Sequence, residues 1–86
     1  MKNEGEKIFN ISNINFRGFN FRNIDLESVY LEGANLQEAN LQNVNLQKSN
    51  LQGANLVRTK LMSARLQYVN LKNATLKSAS LQRSKL

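Results

Sequence analysis

From Ile11 to Leu86 an apolar residue returns at every fifth position, sixteen times in sixteen steps, and thirteen of these residues are leucine. No insertion or deletion breaks the register. An α-helix cannot use this spacing, because five residues advance it by about 140° beyond a full turn and would scatter the leucines around its circumference. A straight strand fails as well: its side chains alternate with period two, so an odd step throws successive leucines onto opposite faces. The backbone must turn once in every five residues so that each leucine points inward again.

The position two residues before each of these repeats the message. It reads Phe9, Ile14, Phe19, Ile24 and Val29, and from there only Ala, Val, Ser or Thr as far as Ser84. Two inward positions flanking one outward residue make a three-residue piece of strand. The two residues that remain in each repeat form a corner. Gly18, Gly33 and Gly53 all fall at the same corner site, which predicts a turn with positive φ there. Proline is absent, as suits a backbone whose amides pair between coils.

The resulting motif reads ANLQE at 34–38, SNLQGANL at 49–56 and, with Thr75 in place of asparagine, NATLK at 73–77. It resembles the pentapeptide-repeat family over residues 7–86, and residues 1–6 read as an N-terminal lead-in. The resemblance implies an all-β fold, a right-handed quadrilateral β-helix with four pentapeptides per coil and about four coils. Residues twenty apart would then stack directly. At the N-terminal end, Phe9, Phe16, Phe19 and Phe21, with Ile11, Ile14 and Ile24, read as a hydrophobic plug over the tower. The C-terminal coil carries no comparable plug: either the chain dimerises end to end, with Leu71, Leu76, Leu81 and Leu86 as a candidate dimer interface, or it is a piece of a longer protein. Family members commonly dimerise through their C-terminal coils, so the resemblance implies a symmetric homodimer.

Composition narrows the chemistry. The chain has 86 residues, enough for one domain, with no cysteine and no histidine. Disulfides, His/Cys zinc sites and histidine-based catalysis are therefore excluded. No glycine-rich phosphate loop and no carboxylate cluster is present. Thr59 beside Lys60 and Ser84 beside Lys85 pair an inward hydroxyl with an outward amine, and Ser63 has no base, so no nucleophile is armed. The expectation is a non-enzymatic chain with no catalytic, metal or cofactor site. The opening MKNEGEKIFN lacks the apolar run of a signal peptide, and no stretch reaches the length of a membrane span. A soluble cytoplasmic protein with no membrane partner is expected. The terminal Ser-Lys-Leu matches a peroxisomal address, but Ser84 and Leu86 already fill the two inward slots of the repeat, and we read the tripeptide that way.

Function is left to the outward residues. The net charge is +6; all six acids lie within the first 38 residues, and eight of the twelve bases lie from Lys48 onward. Asparagine precedes the inward apolar residue at nine positions, where stacked amides can form ladders. Departures from this background cluster in VRTKLMSARLQY, residues 57–68, with Tyr30 as an outlier. Stacking puts Glu38 over Arg58, Lys48 over Tyr68 as a cation–π pair, and Arg65 over Lys85 as like charges. Candidate partner-binding residues are Val57, Arg58, Lys60, Met62 and Arg65, together with Tyr68, Lys77, Arg83 and Lys85. The expected role is a scaffold module that binds a protein partner. The alternative is a nucleic-acid role, through direct contact by the basic C-terminal sides or, second to that, DNA-mimic action on a topoisomerase. The family's quinolone-resistance members resemble DNA and engage gyrase, yet a DNA mimic should be acidic and this half of the chain is basic.

Overall fold

A computed structural model describes residues 9–86; the expected lead-in of residues 1–6, and the first two residues of the expected 7–86 solenoid, lie outside them. The chain winds as a four-sided coil. Twelve parallel bridges join residues twenty apart, beginning with Asn10 to Tyr30 and ending with Arg65 to Lys85. Side I comprises residues 9–11, 29–31, 49–51 and 69–71, and side II comprises 14–16, 34–36, 54–56 and 74–76. Side III comprises 19–21, 39–41, 59–61 and 79–81, and side IV comprises 24–26, 44–46, 64–66 and 84–86. A two-residue corner separates each side from the next.

The corners follow from one backbone rule. In the corner after Leu36, the N–H of Ala39 donates to the Leu36 carbonyl at 3.0 Å, closing a four-residue turn. The third residue of that turn, Glu38, has φ +64°, the requirement of a type II turn. The same corner site has positive φ at all fifteen turns from Asn13 to Arg83. The three glycines mark the site as expected, but twelve of the fifteen residues there carry a side chain. None of those twelve is β-branched, the class for which this conformation is most strained.

Between coils, each repeat from 29–33 to 59–63 makes three backbone bonds. In the repeat 39–43, Asn40 N–H donates back to the Phe19 carbonyl at 2.9 Å, while Leu41 and Asn43 donate forward to Lys60 and Met62 at 2.7 and 3.0 Å. Stability is therefore built from nearest-neighbour contacts along the axis.

The core is two columns per side. Leucines 31 through 61 are at most 1% exposed, and Val29, Ala34, Ala39, Val44, Ala54 and Ala64 close the gaps between them. Each such leucine contributes roughly 1.5–3 kcal/mol by burial. Ser49 and Thr59 replace alanine in this column and remain buried because their hydroxyls donate to the carbonyls of Leu46 and Leu36, at 2.6 and 2.7 Å.

The N-terminal plug needs correction. Phe16 meets Phe19 and Phe21 edge to face at centroid distances of 5.2 Å, and Ile11, Phe16 and Phe21 pack against the core. Phe9, Phe19, Ile14 and Ile24, however, are 63, 52, 43 and 42% exposed. They occupy the first coil's inward slots, and no earlier coil covers them among the described residues. The cluster covers the core but is itself largely uncovered.

Candidate functional site

Asparagine before leucine has a backbone reason. Of the five N–H groups in a repeat, four find backbone carbonyls, as in 39–43: the turn bond and the three bonds between coils. The fifth, on the first corner residue, finds none. The asparagine side chain supplies it: Asn40 Oδ1 accepts the N–H of Gln42 at 3.0 Å. Each of the ten Asn or Asp residues at this position, from Asn10 to Asn70, makes the same bond over 3.0–3.1 Å. This is an Asx turn, a local bond that completes the accounting. Ladder bonds between coils also form, from Asn35 to Asn15, Asn45 to Asp25 and Asn70 to Asn50, each at 3.1–3.2 Å. They are additional to the turn rather than its cause.

Against that requirement, Lys60 and Arg65 stand out, and Lys85 stacks on Arg65 in the equivalent slot of the last repeat. Each occupies the slot that asparagine fills elsewhere and cannot accept a hydrogen bond. They lie on sides III and IV of the last two coils. Arg65 and Lys85 are bridged directly, so two like charges share one column. Val57 and Met62 are the only apolar residues among the fifteen first-corner positions from Ser12 to Gln82. Both are half-buried, at the two corners that bound side III, with Lys60 between them.

The remaining expected residues divide. Arg58, Lys77 and Arg83 are exposed on the same two corners and so join Val57, Lys60 and Met62 around side III. Arg65 and Lys85 flank this group on side IV. Tyr68 is one corner further round and 83% exposed, and it does not join. Its expected cation–π contact with Lys48 is not made: among the described residues the aromatic contacts are those of Phe16, Phe19 and Phe21. Both side chains leave the backbone from positive-φ corner residues, which leaves the ring projecting outward.

The Glu38–Arg58 pair forms, with Arg58 Nε donating to Glu38 Oε2 at 3.1 Å. A second arginine joins that the sequence reading did not select. Arg17 donates through Nε and its terminal guanidinium nitrogen to Glu38 Oε1, both at 3.2 Å. These two guanidiniums, Arg58 first, hold the Glu38 carboxyl below its ordinary range. The signal for Arg17 was present, since it lies twenty-one residues before Glu38. A long side chain can reach diagonally across one coil step.

At the C-terminal coil, Leu71 and Leu76 are partly buried, while Leu81 is 37% and Leu86 80% exposed. The described residues enclose no pocket, and no group of three or more acidic side chains is placed to hold a metal ion. Of the two inward hydroxyls that directly precede a lysine, Thr59 is fully buried and committed to the Leu36 carbonyl, and Ser84 donates to the Leu81 carbonyl at 2.7 Å.

With the coil, its corners and its asparagine turns described, the family model of pentapeptide repeats matches residues 10–47, 39–77 and 54–86 with eight copies. The chain belongs to the pentapeptide-repeat family. Its fold is accordingly the right-handed quadrilateral β-helix of that family. Among solved structures it is similar to the pentapeptide repeat protein Rfr23 from the cyanobacterium Cyanothece 51142, at 30% identity and a TM-score of 0.73, over 88% of this chain and 58% of that one. It is also similar to alr5209, a pentapeptide repeat protein from Nostoc PCC 7120, at 31% identity and a TM-score of 0.66, over 84% and 64% of the two chains. The chain thus spans about three-fifths of the length of these pentapeptide-repeat relatives. No protein of curated function matches it.

Proposed function

We propose that this chain is a non-catalytic scaffold module that binds a protein partner through its rigid sides. One observation carries the reading. On sides III and IV of one coil, Lys60 and Arg65 replace the residue that the turn requires. The turn gains no bond in exchange, so the substitution serves something outside the tower. A photo-crosslinking residue placed in turn at Asn50, Asn55, Ser80 and Lys85 samples all four sides in cells that express the chain. A discrete protein adduct from one side is expected; no adduct from any side would overturn the reading.

Direct nucleic-acid contact is a second reading, favoured by the absence of any ion pair to Lys60, Arg65, Lys77, Arg83 or Lys85 among the described residues. Titration of a labelled duplex at two salt concentrations tests it, beside a variant with Arg58, Lys60 and Arg65 changed to Gln. Binding that falls steeply with salt and drops in the variant supports phosphate contact. No binding at low salt removes it.

Self-association through the last coil is proposed on separate grounds. Leu81 and Leu86 are exposed, and the amides of Leu71, Leu76 and Leu81 donate to no backbone carbonyl among the described residues. Sedimentation of the 86-residue chain across a concentration series should show a dimer that Leu81→Asp abolishes. A monomer at all concentrations would end this proposal.

A further inference from the structure

We propose that side III of the last two coils docks an extended acidic polypeptide segment that presents apolar side chains and carboxylates in turn along one of its faces. The proposal rests on the reading of this chain as a protein-binding module and names the side and the chemistry of its partner.

The arrangement on that side has a centre and a rim. Val57 and Met62 project at the two corners, with Lys60 between them. Arg58, Lys77 and Arg83 surround these three on the same corners. An apolar centre within a polar rim is the anatomy of a protein interface, in which methionine and arginine are enriched. The first-corner positions elsewhere hold only polar or charged residues, glutamine most often. Two apolar residues on consecutive corners of one coil, framing one lysine, are therefore a local feature and no property of the repeat.

The charges select the partner's sign. Among the described residues Lys60, Lys77 and Arg83 have no ion pair, and the single carboxylate near Arg58 is already shared with Arg17. Around the corner, Arg65 and Lys85 repel one another in a direct stack. A bound carboxylate relieves all of these.

The apolar pair selects between polyanions. A phosphate backbone offers Val57 and Met62 nothing to bury. Side III is also flat, with three-residue edges and no helix or loop to enter a groove, and it carries no aromatic row for bases. A membrane surface is answered by larger apolar and aromatic side chains than these two half-buried ones. An extended peptide fits both features, because alternate side chains leave a strand on one face about 6.8 Å apart. Carboxylates and apolar groups at successive positions of that face can then reach the rim and the centre in turn.

The test uses two end-blocked peptides, one repeating Glu-Ser-Leu-Ser (Glu/Leu) and one repeating Glu-Ser-Ser-Ser (Glu/Ser), and a short labelled duplex DNA. Each is titrated against the full chain at physiological salt. The Glu/Leu peptide should bind about tenfold more tightly than the Glu/Ser peptide, as burial of two apolar contacts requires. Val57→Gln with Met62→Gln should erase that preference, and glutamine already fills neighbouring corners, so the variant keeps the coil. Lys60→Gln with Arg83→Gln should weaken both peptides. Amide shifts in the NMR spectrum should be confined to residues 57–63 and 77–83. Equal affinity for the two peptides, a duplex bound more tightly than the Glu/Leu peptide, shifts on another side, or no binding would each overturn the proposal. Failure here alongside a cross-linked protein on another side would leave the scaffold reading standing, whereas silence on all four sides would remove both.

Discussion

The side-chain oxygen of Asn40 accepts the backbone N–H of Gln42 at 3.0 Å, closing the one donor of that repeat that no carbonyl reaches. Asn40 makes no ladder bond to a neighbouring coil among the described residues, so it isolates the turn. Asn40→Ala should cost about 1 kcal/mol, the net worth of one such bond, read as a lower urea midpoint. A cost near zero would show that water serves the Gln42 amide equally well.

That bond also marks a boundary in what the sequence discloses. The five-residue leucine step and the small residue two before it define a turning backbone with two inward columns, because no other periodic structure accepts that spacing. Gly18, Gly33 and Gly53 disclosed the sign of φ at the corner. The direction of the asparagine side chain was less legible. Its oxygen can turn along the tower to the next amide or back to its own corner, and in the folded chain the corner takes it every time. The diagonal reach of Arg17 to Glu38 was hidden for a similar reason: spacing gives the column, whereas side-chain length decides which neighbouring column is met. The exposed Phe9 and Phe19 show the opposite limit, since an inward slot buries its residue only where another coil lies beyond it.

The corner conformation makes its own prediction. A Cβ added at Gly53 meets nothing closer than 4.0 Å, the Gly33 backbone nitrogen, so only φ matters there. Gly53→Asn should be nearly neutral, because asparagine already adopts this conformation at Asn13, Asn23, Asn43 and Asn73. Gly53→Val should cost roughly 1–2 kcal/mol or more through left-handed strain on a β-branched residue. At Gly33 an added Cβ would run into the Asn13 side-chain oxygen, so Gly33→Ala should cost more than Gly53→Ala. Thermal melts of the four variants check the order.

Core and corner should respond very differently to the same charge. Leu46 is fully buried and Gln47 is its partly exposed neighbour. Leu46→Ala should cost about 2–5 kcal/mol through lost transfer energy and a cavity. Leu46→Asp should abolish the cooperative unfolding transition, since an unpaired carboxylate would enter the leucine stack. Gln47→Asp should stay within about 0.5 kcal/mol of the parent. Circular dichroism with urea titration distinguishes these outcomes.

Glu38 should titrate below an ordinary glutamate, because Arg58 and Arg17 both stabilise its ionised form. The folded value is depressed, so its contribution to stability is present above the unfolded value and is lost as pH falls through the folded one. Carboxyl carbon shifts followed by NMR should place its midpoint at the acid end of the glutamates. Arg58→Gln should move that midpoint upward, and so should Arg17→Gln. High salt should shrink both effects, since the pairs are exposed. A midpoint indifferent to both substitutions would mean that the bonds do not persist in solution.

The basic side should trade stability against binding. Lys60→Asn restores the turn acceptor for the Met62 amide, and Arg65→Asn does so for Gln67 while removing the stacked repulsion with Lys85. Each should raise stability by about 0.5–1.5 kcal/mol, the range of one intramolecular hydrogen bond, with the Arg65 gain falling at high salt as its repulsive part is screened. The same substitutions should weaken whatever binds these sides. Urea midpoints measured beside titration of the acidic peptides follow both quantities in one pair of variants. Stabilisation with unchanged binding would make these cations incidental to recognition. No stabilisation would mean that Lys60 and Arg65 cost the turn nothing, and the argument that they serve a partner would lose its physical ground.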